Sequence, residues 1–197
     1  DPVTPNGMDL TVLKAHARGV DARTARAALQ RVAEKFLGAP LDDAALAAIS
    51  GRYEFHNKGI DLLLDAAAEL RGKPGRSLVI FILVPAGATG LRRSVRERLH
   101  HDAPADGPIG HCTHRLNDPD HDPVLQSLRA HGLNNDPKDR VRVIQIPAYL
   151  APGDEVFNLP YEAVLGGFDF SAFPSFYEPW GYTPVESLGC GVTTITS

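Results

Sequence analysis

The sequence predicts an α/β domain of the Rossmann-like kind, a mostly parallel sheet with helices on both faces. Short apolar runs that read as strands alternate along the chain with amphipathic helical segments. The longest apolar run, Leu78 to Val84, has the length of a buried strand and falls far short of the roughly 20 residues of a membrane span. Two of the strand-to-helix junctions concentrate charged and aromatic residues, and in an open α/β sheet such junctions are where ligands bind.

The elements follow in order. Asp21 to Gly38 is an amphipathic helix: Ala25, Leu29, Val32, Ala33, Phe36 and Leu37 share one face, and Gly38 and Pro40 end it. Ala44 to Gly51 is a buried strand. Lys58 to Leu70 reads as a helix with Ile60, Leu63, Leu64 and Ala67 inward and Asn57 as its candidate cap. After the Leu78–Val84 strand comes a charged helix, Leu91 to His101, and then a Gly/Pro/His-rich loop from Ala103 to Pro119. Asp122 caps and Pro123 opens a helix that runs to His131. Arg140 to Ile146 is a strand, Pro160 to Gly166 a short helix, and Asp169 to Phe173 a strand. Gly191 to Ser197 reads as a further strand that stops in mid-sheet, and Asp1 to Gly7 is turn chemistry with little to pack against. Both ends therefore predict a piece of a longer protein. The sequence shows no internal repeat.

Composition narrows the function classes. With 197 residues, 43% hydrophobic and 22% charged, the chain reads as a soluble globular protein with one good-sized core. A net charge of −4 gives no reason to expect a nucleic-acid partner, so any anion site must be local. Cys112 and Cys190 form no close pairing pattern, which predicts a reducing compartment, the cytoplasm. No signal-peptide pattern opens the chain.

The most informative stretch runs from Phe173 to Glu186. It sets Glu178 and Glu186 eight positions apart, with Pro, Trp, Gly and Tyr between them. Thr183 and Glu186 fit a capping box, with Pro184 at the favoured first helical position. A strand, a rigid loop and a helix N-terminus thus follow one another, and such a terminus attracts anions such as phosphate. The second cluster is Gly51-Arg52-Tyr53-Glu54-Phe55-His56-Asn57-Lys58-Gly59. Arg52 and Lys58 bracket a strand-to-helix turn and offer a planar fork and a mobile point charge for phosphate oxygens. Ordinary surface charges are the competing reading. No Gly-x-Gly-x-x-Gly or Walker A pattern is present, which disfavours a dinucleotide site and a P-loop.

These two segments together resemble the signature blocks of glycogen synthase of the animal and fungal type, a retaining glucosyltransferase. The family typically reads Gly-Arg-Tyr-Glu-Phe-x-Asn-Lys-Gly and Phe-Pro-Ser-Tyr-Tyr-Glu-Pro-Trp-Gly-Tyr-Thr-Pro-Ala-Glu; this chain departs mildly at Phe176 and Val185. Thr4-Pro5-Asn6-Gly7 is similar to the family's interdomain linker, and Thr113-His114 with Asp122-Pro123 adds agreement. The resemblance implies residues 1–20 as linker and 21–197 as the donor nucleotide-binding domain, truncated at its C-terminus. This is the C-terminal half of a two-domain GT-B enzyme.

It further implies roles. Arg52 and Lys58 match the basic pair that holds the donor pyrophosphate and steadies the departing nucleoside diphosphate. Glu178 matches the glutamate beside the transferred glucose, and Glu186 the one at the ribose hydroxyls. Tyr182 and Thr183 would offer backbone N–H groups to the phosphates, and Tyr161 would stack on the base. The donor expected is UDP-glucose, with ADP-glucose as the alternative. The acceptor is an α-1,4-glucan held by the missing N-terminal domain, and the parent is a candidate homo-oligomer. No cofactor or metal is expected, because Arg52, Lys58 and the helix N-terminus supply the positive field.

Blander readings stand beside these. Glu186 completes only a capping box; Tyr161 is a core-facing helix residue; Trp180 is loop packing; the domain is a catalytically silent nucleotide-binding module. The Arg92, Arg93, Arg96 and Arg98 run reads as a solvated helix face. His100, His101, His111, Cys112, His114 and His121 crowd one region and suggest zinc, but their spacing is irregular for a metal site, and a solvated loop is the simpler reading.

Overall fold

The computed structural model describes residues 7–101, 103–104 and 106–197. Thr4, Pro5 and Asn6 of the linker-like motif lie outside the described residues. Five parallel strands form the main sheet: β1 (Ala45–Ser50), β2 (Leu78–Leu83), β5 (Val141–Gln145), β6 (Phe170–Phe173) and β7 (Thr193–Thr196), in the order β5-β2-β1-β6-β7. The chain grows outward from β1 to β2 and β5, then returns to the other side of β1 for β6 and β7. The switch point is therefore the β1/β6 seam. Register runs from Ala45 opposite Leu78 to Ser50 opposite Leu83 on one side of β1. On the other side only Ala47–Phe170 and Ala48–Ser171 are paired, so the seam opens as β1 ends.

The period-two alternation of the strands feeds two cores. Leu46, Ala48, Val79, Phe81, Leu83 and Ile144 face one cluster, which also holds α2 (Ala22–Leu37) and α4 (Arg93–His100). Ala47, Ile49, Ile80, Ile82, Val141 and Val143 face the other, with α3 (Ile60–Arg71) and α5 (Pro123–Ala130). Helices thus cover both faces, as the alternation predicts. The α2 face is buried at all six expected positions, with Asp21 accepting from the Thr24 N–H at 2.7 Å and Gly38 closing the helix at φ 69°. Asp122 caps α5 by accepting from the Leu125 N–H at 2.9 Å.

One carboxylate fixes the seam at its base. Asp169 Oδ2 accepts from the Arg26 guanidinium at 2.5 Å and from the Leu46 N–H at 2.6 Å, while the Arg26 fork also reaches the Ala44 carbonyl. It ties α2, β1 and the start of β6 into one joint. Among the described residues before α2, α1 (Leu10–His16) is capped by Asp9 and buries Leu13. A Cβ at Gly189, in α7 (Tyr182–Gly189), would come within 2.5 Å of the Leu13 side chain, so α1 rests directly on α7.

Several local expectations are corrected. The helix expected from Lys58 begins at Ile60, because Gly59 turns the chain at φ 67°; Asn57 caps nothing and donates instead to Glu54 at 2.6 Å. The helix expected from Leu91 begins at Arg93. Leu91 closes a short strand, β3 (Ala88–Leu91), which pairs antiparallel with β4 (His114–Leu116) inside the region expected to be loop. Its four residues are too few to show an apolar alternation. The arginine run is not a uniformly solvated face either: Arg92 donates to the Ile109 and Cys112 carbonyls, and Arg98 to the Lys35 and Gly107 carbonyls. These two stitch the irregular segment to the core, while Arg93 and Arg96 pair with Glu97 and Glu155.

The capping box is also overturned. Helix α7 starts at Tyr182 behind Gly181, which sits at φ 76° and ψ 55° and supplies no side-chain cap. Thr183 is the second helical residue and Pro184 the third. The glycine's left-handed turn brings the chain into the helix earlier than Thr183 would.

The tightest backbone crossing in the fold lies at Gly59. A Cβ there would stand 1.9 Å from the Pro174 carbonyl oxygen, and the position is left-handed besides. Gly59→Ala should therefore cost about 2–4 kcal/mol, combining an αL penalty with a clash that no flexible side chain relieves. Urea unfolding checks this; a loss below about 0.5 kcal/mol, the range of neutral surface changes, would refute the crossing.

Candidate functional site

The two segments flagged in the sequence clasp each other at the open end of the β1/β6 seam. The Phe176 N–H donates to the Asn57 carbonyl at 3.0 Å, and the His56 and Phe176 rings stack at 4.2 Å. Below this clasp lies a cleft of about 500 Å³, lined from the ends of β1, β2 and β5, from the β6–α7 loop and from α7 itself. All seven residues expected to form the site reach it: Arg52, Lys58, Tyr161, Glu178, Tyr182, Thr183 and Glu186.

Their settings differ. Lys58 is nearly enclosed, at 13% side-chain exposure, and its Nζ donates to Glu178 Oε2 at 2.5 Å. Ser175 Oγ lies 3.5 Å from the same oxygen. Arg52 stands at the rim with its side chain 83% exposed, held only by Glu54 at 3.4 Å. One cation is thus preplaced and the other is free to swing. Because Gly181 offers no cap and Pro184 has no N–H, the donors left over at the start of α7 are those of Tyr182 and Thr183.

Behind them sits a half-buried pair. Tyr161, first residue of α6 (Tyr161–Leu165), anchors its hydroxyl to Ser50 Oγ at 2.7 Å, which fixes the ring against the cleft wall. Burial raises the Tyr161 phenol well above its usual range. Glu186 faces that ring. Burial raises its carboxyl pKa and the nearby Glu162 adds to the rise, while the Tyr161 hydroxyl lowers it in part.

Several lining residues escaped the sequence reading. Ser50 is one, since nothing in a buried strand marks its last residue as a support for Tyr161. Tyr53 is another: its hydroxyl donates to Asp122 Oδ2 and accepts from the Val124 N–H, which ties the first turn to α5. Tyr149 is 83% exposed at the mouth, in the loop after β5. The signal for it was available, because every strand of a parallel sheet delivers its following loop to the same edge. Trp180, expected to pack, is 42% exposed and meets Tyr182 edge-on.

The crowded histidines do not converge on one point. His100 reaches the Glu155 carbonyl, His121 pairs with Asp118, and the His111 ring lies against the Asn135 amide. Among the described residues no three His, Cys, Asp or Glu side chains gather as a metal site would need.

Known proteins resemble this chain in both sequence and fold. Residues 106–197 match the family model described as glycogen synthase. The liver glycogen (starch) synthase of Rattus norvegicus is 28% identical over 255 residues, covering 100% of this chain and 36% of its own length. The glycogen (starch) synthase of Caenorhabditis elegans is 28% identical, covering 100% and 38%, and that of Neurospora crassa 29%, covering 75% and 29%. The chain thus spans roughly a third of the curated relatives it matches. The N-terminal domain of trehalose-6-phosphate phosphatase from Candida albicans superposes with a TM-score of 0.56 at 15% identity, over 98% of this chain and 34% of that one. That likeness is one of fold. In sequence the chain is similar to animal and fungal glycogen synthases.

The raised Glu186 carboxyl yields a stability test. Its pKa lies above the ordinary 4.5, so the folded protein keeps a proton that the unfolded chain has already released. Folding therefore loses stability as pH rises from the unfolded value through the folded one. Glu186→Gln cannot ionise, so its melting temperature should gain on the parent's as pH rises from the ordinary 4.5 through the raised value. An unchanged difference across that span would remove the desolvated carboxylate.

Proposed function

We propose that this chain is the donor-nucleotide domain of a glycogen synthase-like glucosyltransferase of GT-B architecture. It would bind a nucleoside diphosphate glucose, UDP-glucose in preference to ADP-glucose. The observation that carries this reading is the meeting of Lys58 and Glu178 at 2.5 Å, from segments 120 residues apart, in a cleft at the sheet's switch point. The family resemblance supplies the chemistry such a cleft is suited to.

The donor's phosphates enter beside Lys58, whose ammonium exchanges its carboxylate partner for phosphate oxygens. Arg52 swings from the rim to add a planar fork, and the Tyr182 and Thr183 N–H groups complete the cradle. Negative charge grows on the diphosphate as the glycosidic bond breaks, and these donors stabilise it where it develops. Glu178, released from Lys58, turns to the glucose hydroxyls or to the positive charge growing on the sugar. Glu186 takes the ribose hydroxyls, its acceptor oxygens supported by Tyr161, whose ring stacks on the base. In the parent, glucose passes with retention to the 4-hydroxyl of an α-1,4-glucan held by a further domain. The thiols of Cys112 and Cys190, both free, suit the cytoplasm.

Calorimetric titration of UDP and ADP tests the site. UDP should bind more tightly than ADP, and Arg52→Ala should weaken UDP about tenfold to a hundredfold, the worth of one charge-assisted contact. UDP affinity unchanged in Arg52→Ala would refute the phosphate role. The chain alone should transfer no glucose to glucan, since half of the interdomain cleft is contributed elsewhere; measurable elongation would overturn that.

A further inference from the structure

A second cavity, of about 550 Å³, lies beside the paired strands β3 and β4, between the start of α4 and the flank of α5, and it shares no lining residue with the first. Its walls carry Arg92, Arg93, Arg115 and Arg129 with His111 and His114, and no Asp or Glu is among its lining residues. In a chain of net charge −4 this is a local reversal of sign. Nothing in the reaction proposed above uses it.

The arginines come from three elements and are differently held. Arg92 is fixed by the Ile109 and Cys112 carbonyls at 2.8 and 3.0 Å, and Arg129 leans on the Asp120 carbonyl at 3.4 Å. These are neutral acceptors, which orient a guanidinium without cancelling its charge. Among the described residues only Arg93 of the four has a carboxylate partner, Glu97 at 2.7 Å. Arg115 is exposed and its guanidinium has no bonded partner among the described residues. Burial lowers the pKa of the His111 ring, and the charge of Arg129 lowers it further, against the rise from its contact with the Val143 carbonyl. Like charges from separate elements thus face one apolar-floored space built on Cys112, Leu116 and Leu125. Such an arrangement costs free energy when empty and is relieved by an anion.

We infer that this cavity binds a phosphate-class anion, engaged by Arg92, Arg115 and Arg129. The tetrahedral phosphate presents oxygens on several sides and accepts from guanidinium forks that converge from different elements, whereas a planar carboxylate satisfies one fork. The anion comes either as inorganic phosphate or as the phosphate of a monoester, and the two share the same contacts.

Calorimetry on the 197-residue chain tests this with inorganic phosphate in one arm and glycerol phosphate in the other. Each titration is repeated on Lys58→Ala, so that binding in the first cleft is separated from binding here. Saturable binding should persist in Lys58→Ala and fall about tenfold or more in Arg115→Gln and in Arg129→Gln, two exposed positions whose replacement leaves the core intact. The tighter arm identifies the source. The inference is overturned if neither anion binds up to about 10 mM, or if binding is equal in both arginine variants and lost only with Lys58.

Discussion

The passage of the Gly59 turn beneath the Pro174 carbonyl is the constraint on which the site depends. It is a contact between backbones, and no side chain can be interposed. Once it is made, the Asn57 carbonyl meets the Phe176 N–H, and Lys58 comes level with Glu178. The chemistry-bearing side chains are thus positioned by main-chain geometry, with the exposed aromatic residues added on the outside. Asp169 performs the matching task at the other end of the seam, where it holds β6 to β1 before the two diverge.

A division of labour runs through the charged residues. Lys58 and Glu178, each largely shielded from solvent, are paired with one another, as low-dielectric surroundings favour. Arg92 and Arg98 spend part of their donors on carbonyls of an irregular segment that has little regular backbone pairing of its own. Arg52, at the rim, is nearly free. Positive charge therefore ties backbone segments together around α4 and stands exposed at the rim of the cleft.

Much of this was legible in the sequence. The α2 stripe and the Leu78–Val84 run marked the sheet and its helical layers, and the seven residues singled out from the two motif segments and Tyr161 line one cleft. What escaped were features settled by long-range contact or by a single φ angle. Gly59 and Gly181 set two helix starts, since a left-handed glycine turns the chain into the helix without the side-chain cap that Asn57 and Thr183 offered. The pairing of β3 with β4 was hidden because Ala-Thr-Gly-Leu has no alternation to read. Ser50 and Tyr149 carry no local mark of their neighbours across the cleft.

The order of the strands has a consequence for how the protein comes to be itself. Residues 45–83 and Val141–Gln145 assemble one wing of the sheet, and they contain Lys58 and Arg52. The other wing, with Glu178 and Glu186, joins only when β6 finds the far side of β1, a closure over 120 positions between Lys58 and Glu178. A partly folded chain lacking that closure has its cations and its first core, but no cavity between two walls. Loop-closure entropy makes such late, long-range pairings slow. The cleft therefore has both walls only where β6 is paired with β1, so its shape depends on the longest-range pairing in the sheet.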